Sequence, residues 1–285
     1  MPVKYYAAVM FEETEQVVDI ARAAEAEGFT GVALADHVAV PAGFASVHPS
    51  GENPFDHTSP FADPLITASA MLSATTALEV LTYVYILPMR DPFSVASQVA
   101  TLSLLSSNRL RLGIGVGWLR EEIELMGADP RTRGRRTDEM IEICRRFWRD
   151  GTAEFRGEFF DFGPTGMYPQ PDAPVSIWVG GKSEAALARA VRNDGWLGMN
   201  YDLPEVHRLL DRLSELRKEA GKEDGPFETM VIPNADPSPR LHDKMNEHGV
   251  TSTIAMPWYP GDPACASIEA KRDALGRFAD AFIRR

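Results

Sequence analysis

The sequence predicts a closed barrel of eight parallel strands wrapped in helices, a (β/α)8 TIM barrel with a small hairpin inserted before strand five. Three observations point to it. Short β-rich runs alternate with helical stretches along the chain. Eight strand–helix units fit into 285 residues, a length that suits a barrel better than an open sheet. No composition shift or linker divides the units, so one domain over residues 1–285 is expected. Strict alternation calls for a parallel sheet covered by helices.

The first strand is Lys4 to Met10. Thr14 to Gly28 follows as a helix, with Val17, Val18, Ile20, Ala21 and Ala24 at helical spacing and a glycine at its end. The second strand, Gly31 to Leu34, opens the stretch "GVALADHVAV" and runs into Asp36 and His37. A loop from Val38 to Pro60 is rich in Pro, Gly, Ser and His, and loops this long in compact domains are usually functional or mobile. Asp63 to Thr76 is helical, Leu78 to Leu87 is a strand of β-branched and aromatic residues, and Pro92 to Ser106 is a helix with Pro in its first turn. Leu110 to Ile114 is strand four, followed by helical pieces at Glu121 to Met126 and Thr137 to Trp148. "EFRGEFFDF" (154–162) reads as the hairpin insertion. The remaining strands are 175–181, 196–199, 227–232 and 251–256, with helices at Ser183–Asn193, Pro204–Ala220, Pro239–His248 and Ser267–Ile283.

A formal charge of −12 argues against a nucleic-acid partner, which would call for a basic face. Two distant cysteines, Cys144 and Cys265, make neither a disulfide framework nor a C-x-x-C metal pair. "MPVKYYAAVM" lacks the pattern of a signal peptide, and no apolar run reaches the roughly 18 residues of a membrane span. A reducing cytoplasm is the expected compartment.

Barrel chemistry sits at the C-terminal ends of the strands, which puts Asp36 and His37 at the mouth. Strand four ends in "LGIGVGW", with Gly113, Gly115 and Gly117. Glycines there admit a flat ligand or another backbone, or relieve crowding, and both readings stay open. The spacing is not the dinucleotide G-x-G-x-x-G. Strand five ends in "WVGGKSEAALARA", where Gly180 and Gly181 lead into a helix capped by Lys182 or Ser183. That is a phosphate cradle, or else an ordinary capped turn; no Walker spacing is present. The histidines His48, His57, His242 and His248 form no H-x-x-x-H or H-E-x-x-H pattern, so no metal is expected. "RTRGRR" (131–136) reads first as a solvated loop and second as a holder of an acidic ligand. Trp118, Trp258 and Tyr83 stand at strand ends, where each serves a planar ring or simple packing. No G-x-S-x-G or Cys/His nucleophile stands out. What remains suits redox chemistry on a bound planar cofactor.

Four segments carry a family likeness: "ADHV", "ILPMRDPFSVASQVATLSLLSSNRLRLGIGVGW", "FRGEFFDFGPTGMYPQPDAPVSIWVGG" and "NDGWLGM". Through them the chain resembles the luciferase-like monooxygenase superfamily, especially its branch of coenzyme F420-dependent oxidoreductases. The resemblance implies a deazaflavin or FMN ring on the strand ends and a phosphate on Gly180, Gly181 and the start of the next helix, with Lys182 and Ser183. It implies a non-prolyl cis peptide at Tyr83–Val84 behind the ring, with Gly115, Gly117 and Trp118 nearby. The Asp–His pair favours F420 over FMN: Asp36 would contact the cofactor head, and His37 would face the substrate and move the proton. The sugar-phosphate dehydrogenases of the family carry an acid directly after the G-x-G of strand four and a Trp four residues beyond the His. This chain has Trp118 and Pro41 there, which speaks against that oxidation. Glu121 and Glu122 are the nearest acids, though such helix residues are more often solvated. The expectation is an oxidoreductase moving hydride between F420 and a small organic substrate. The alternatives are an FMN-dependent monooxygenase using reduced flavin and O2, and a cofactor-binding barrel without turnover. No nucleic acid or membrane partner is expected, and a homodimer is, as family members often are.

Overall fold

The eight β-rich runs close into one parallel sheet in the computed structural model, which describes residues 2–285. The strands are β1 (Lys4–Val9), β2 (Gly31–Leu34), β3 (Glu79–Thr82) with its continuation β4 (Tyr85–Ile86), and β5 (Leu110–Gly115). An antiparallel hairpin of β6 (Thr152–Arg156) and β7 (Asp161–Gly166) stands apart. The sheet resumes with β8 (Ser176–Gly180), β9 (Gly195–Tyr201), β10 (Glu228–Pro233) and β11 (Ser252–Ala255). β1 pairs with β2 on one side and β11 on the other, which closes the (β/α)8 barrel.

Nine helices complete the described chain: α1 (Val17–Ala26), α2 (Pro64–Ala74), α3 (Pro92–Leu105), α4 (Arg120–Leu125), α5 (Arg133–Asp150), α6 (Glu184–Arg192), α7 (Leu203–Glu219), α8 (Pro239–Glu247) and α9 (Ile268–Phe282). Six of them start on an Asp or Ser whose side chain accepts a first-turn N–H: Asp63, Asp91, Ser183, Asp202, Ser238 and Ser267. Each such cap is worth about 1 kcal/mol. No helix among the described residues is long and apolar enough to cross a membrane.

Two apolar layers follow from strand alternation. Outward residues such as Val32, Val80, Leu112 and Val231 pack under the helices. Inward residues Tyr6, Ala33, Leu81, Trp178, Leu197, Met230 and Ile254 fill the barrel. Above them Ala8, Met10, Tyr83, Val84 and Ile232 are only partly buried and form an apolar floor. At the N-terminal end, Lys4 pairs with Glu228 at 2.5 Å, and Glu79 takes both Arg111 and the Tyr6 hydroxyl. That charged end is occupied by its own pairs, which leaves the opposite end for ligands.

Three elements differ from the expectations. Strand three is broken rather than continuous over Leu78–Leu87: β3 stops at Thr82, and pairing resumes at Tyr85 opposite Ile114. The two pieces are joined at Tyr83–Val84 by the cis peptide that the resemblance implies. The glycines of β5 make room for this detour. A Cβ on Gly113 would lie 2.0 Å from the Thr82 carbonyl oxygen, and one on Gly115 would lie 2.4 Å from Val84 Cγ2. Helix α5 begins at Arg133, four residues before the expected Thr137, because its arginines find partners rather than solvent. The hairpin reaches Gly166, past the expected 162, since Thr152 and Ala153 pair with Gly166 and Thr165.

Candidate active site

β2 is four buried residues, and the chain leaves it through Asp36 and His37. The Asp36 carboxylate accepts the Ile86 N–H at 2.7 Å and Arg90 Nη2 at 2.6 Å. Burial pushes its pKa up, against the opposing pull of Arg90 and the Ile86 amide. Arg90 also donates to the Ile86 carbonyl and lies 4.3 Å from the Tyr85 ring centroid. Both Asp36 oxygens are thus committed to the segment after the break in strand three. The side chain is wholly buried, so in this arrangement it ties β2 to β4 and presents no free oxygen to a cofactor head.

His37 is partnered differently. Its Nδ1 lies 2.5 Å from Oε2 of Glu122, on α4, while Nε2 has no protein partner and is not sealed from solvent. The other Glu122 oxygen accepts the N–H groups of Val38 at 2.6 Å and Ala39 at 3.1 Å. Glu122 is fully buried, which corrects the expectation of a solvated helix residue. The signal was in the spacing: Leu119, Glu122 and Ile123 share one helix face, and Leu119 and Ile123 are buried core. A carboxylate on an apolar face needs donors, and this one has three.

Glu121 holds the same loop further on. It accepts the N–H groups of Ala45 and Ser46 and the Ser46 hydroxyl. The Ser46 hydroxyl bond, with the backbone donors, holds its pKa down at about 2, below the usual 4.5. A lowered carboxylate contributes stability above its ordinary value and loses it as pH falls toward the folded one. Protection of the Ala45 and Ser46 amides, measured as exchange relative to their intrinsic rates, is therefore expected to fall as pH drops from about 4.5 toward about 2. Glu121→Gln is expected to lower it already at pH 7.

Between these clamps the loop brings aromatic rings onto His37. Phe55 and Phe61 have centroids 4.6 and 4.8 Å from the imidazole, and Trp118 lies at 5.9 Å. Phe11 joins Phe61 at 5.2 Å, and His48 stands edge-on to Trp118 at 5.1 Å. Sequence reasoning picked out Trp118 and missed Phe11, Phe55 and Phe61, which come from the end of β1 and from the stretch around residue 60.

The glycines divide into two groups. Gly115 and Gly180 both face Val84, whose methyls fill the space their missing side chains leave. Of the two readings left open for the strand-four glycines, the relief of crowding holds for Gly115. Gly117 turns the chain at φ +80 beneath Ile86 and Ile123. Tyr83 donates its hydroxyl to the Gly198 carbonyl, and burial raises its pKa strongly. Trp258 is packing, its Nε1 bound to Glu12 at 2.7 Å.

Gly181, at φ +116, leads into α6, whose cap is Ser183: its hydroxyl accepts the Ala186 N–H at 3.3 Å. Lys182 is paired with Glu205 at 3.0 Å and lies 5.2 Å from the Tyr201 ring centroid. The positive end of this site is therefore mainly the helix start, where Glu184 and Ala185 have N–H groups with no acceptor inside the helix. In the arginine run, Arg131 pairs with Asp129 and Arg135 with Glu158, while Arg133 and Arg136 donate to the Gly117 and Pro88 carbonyls. These contacts are structural.

Known proteins share this architecture. An uncharacterized protein of Mycobacterium tuberculosis is 38% identical over 278 residues, covering 94% of each chain. An FMNH2-dependent dimethylsulfone monooxygenase of Pseudomonas fluorescens is 30% identical over 154 residues, covering 53% of this chain and 42% of that one. Among solved structures, an F420-dependent secondary alcohol dehydrogenase superposes with a TM-score of 0.77 at 16% identity, covering 99% of this chain and 98% of that one. The monooxygenase RslO1 of Streptomyces bottropensis superposes at 0.75 and 17% identity, covering 98% of each. At these identities the superpositions establish the fold alone. The family profile for luciferase-like monooxygenases matches residues 3–235, and on that match the chain belongs to the luciferase-like monooxygenase family.

Proposed function

We propose that the protein is an oxidoreductase that moves hydride between coenzyme F420 and a small organic substrate, with His37 handling the proton. The observation that carries this reading is the His37–Glu122 pair: an imidazole with one nitrogen fixed by a buried carboxylate and the other free, at the rim of a barrel with an apolar floor. Such a pair is suited to proton transfer, because the carboxylate fixes the ring and leaves Nε2 to exchange the proton with a substrate.

The residues present fit such a carrier. Met10, Tyr83, Val84 and Ile232 make a partly exposed apolar bed for a planar ring, with Gly115 and Gly180 supporting it from behind Val84. Gly181, Lys182, Ser183 and the first turn of α6 suit an anionic tail. When bound in its reduced form, the deazaflavin supplies a hydride, two electrons with one hydrogen nucleus. The chain's own part is to seat a substrate oxygen at His37 Nε2, to protonate it as carbon receives the hydride, and to limit water with the 38–60 loop. In the reverse direction Nε2 takes the proton. Asp36 contributes by fixing the end of β2 beside its own successor.

Glu122 sets the tautomer. In Glu122→Gln the Val38 and Ala39 amides claim the new amide oxygen, so its NH2 faces Nδ1 and drives the imidazole hydrogen to Nε2. The expected result is a fall in kcat of about tenfold or more with KM within about twofold, and a shifted pH profile. Equal loss in kcat and gain in KM would mean that Glu122 only holds the loop.

A second reading, an FMN-dependent monooxygenase, is favoured by the 30% identity to the Pseudomonas enzyme. Oxidation of reduced F420 under argon, with a panel of carbonyl and enoyl acceptors, tests the choice. Acceptor-dependent oxidation without O2 is expected; turnover only with reduced FMN and O2 would transfer the protein to the second reading. The same proposal makes it a cytoplasmic homodimer of single barrel domains, whose stoichiometry sedimentation velocity reads.

A further inference from the structure

We infer that the substrate is uncharged and largely apolar, a ketone or aldehyde on a hydrocarbon or aromatic body that lies against Phe11, Phe55, Phe61 and Trp118. The inference deepens the proposed reaction and rests on placing it at His37, though not on which carrier is bound. Three rings meet His37 and a fourth, Phe11, backs Phe55 and Phe61; each of the four is only partly buried. Partly exposed aromatic faces around a single polar atom bind a body without charge and one oxygen to be read. Phe11 adds weight: its φ of +59 is a backbone conformation that bulky side chains rarely adopt, and such residues persist where the surroundings hold them, commonly at ligand sites.

The charges nearby point the same way. An anionic substrate needs a free cation, and those near the rim are engaged. Arg90 is bound to Asp36, Arg133 to the Gly117 carbonyl and Arg136 to the Pro88 carbonyl. Arg120 lines a separate open cleft with Glu124 and Arg131. A cation gains little from the carboxylates, because Glu121 and Glu122 each already accept three hydrogen bonds.

The molecule carries its own reporter. Of five tryptophans, Trp148, Trp178, Trp196 and Trp258 are buried, and Trp118 alone is partly exposed beside His37. Fluorescence of the carrier-free protein is titrated with benzylacetone, hydrocinnamate and phenylpropylammonium, one phenyl body with a neutral, an anionic or a cationic head. Saturable quenching by benzylacetone at about tenfold lower concentration than by either ion is expected. Trp118→Phe should abolish the signal, and Phe55→Ser should weaken binding about tenfold, with Phe55→Leu between. Equal or tighter binding of either ion, or an unchanged response in both Phe55 variants, would overturn the inference. The assay contains no carrier, so failure to oxidise reduced F420 leaves this result standing, and F420 turnover on anionic acceptors sinks the inference while keeping the carrier.

Discussion

Replacing His37 with Ala is expected to slow turnover by about a hundred- to ten-thousand-fold, the usual contribution of a positioned acid or base. The loss should fall on kcat, with carrier affinity within about twofold of the parent. The structure explains the separation. His37 meets Glu122 and the aromatic rings of the loop, whereas the apolar floor and the start of α6 are built from other strands. The carboxylate left behind still accepts the Val38 and Ala39 amides, so the loop keeps its anchor. Stopped-flow measurement of hydride transfer beside a carrier-binding titration checks both halves. A variant that binds carrier poorly and reacts normally once saturated would remove His37 from the chemistry.

The second large effect concerns stability. Gly113→Ala is expected to cost about 3 kcal/mol or more, at the upper end of the range for overpacked cores. The new methyl would stand 2.0 Å from the Thr82 carbonyl oxygen and 2.8 Å from Leu197 Cδ1. The first of these is backbone and cannot swing aside. It belongs to the residue where strand three leaves the sheet, so relief of the clash would move Tyr83 and Val84, the floor of the mouth. Gly163→Ala, where a Cβ meets nothing within 4 Å, is the control and should change stability by no more than about 0.5 kcal/mol. Urea midpoints for the two variants give the comparison.

How much of this could be read beforehand depended on distance along the chain. Alternation is local, so the barrel and the helix starts at Asp63, Ser183 and Ser267 were legible. His37 was legible too, because a polar pair at the end of an apolar strand has few places to go but the rim. Its partner was harder: Glu122 is 85 residues away, and only its place on the Leu119–Ile123 face marked it as buried. The glycines of β5 were ambiguous because spacing shows that room is needed and not what fills it; Val84 and Thr82 fill it. Asp36 was placed at the rim but its partners were not foreseen, since the Arg90 that binds it lies beyond the break in strand three. The aromatic group around His37 draws on β1's end, the long loop and the turn after β5, and no single stretch of sequence contains it.

On the proposed reading, an F420 ring lies across the open end of the barrel with its anionic tail at the start of α6. Difference-absorption titration of the purified protein with F420, and in parallel with FMN, tests it most directly. Saturable, one-to-one perturbation of the F420 spectrum, retained in His37→Ala and weaker or absent for FMN, is the predicted result. Tight binding of FMN by a protein that leaves the F420 spectrum unchanged would contradict it.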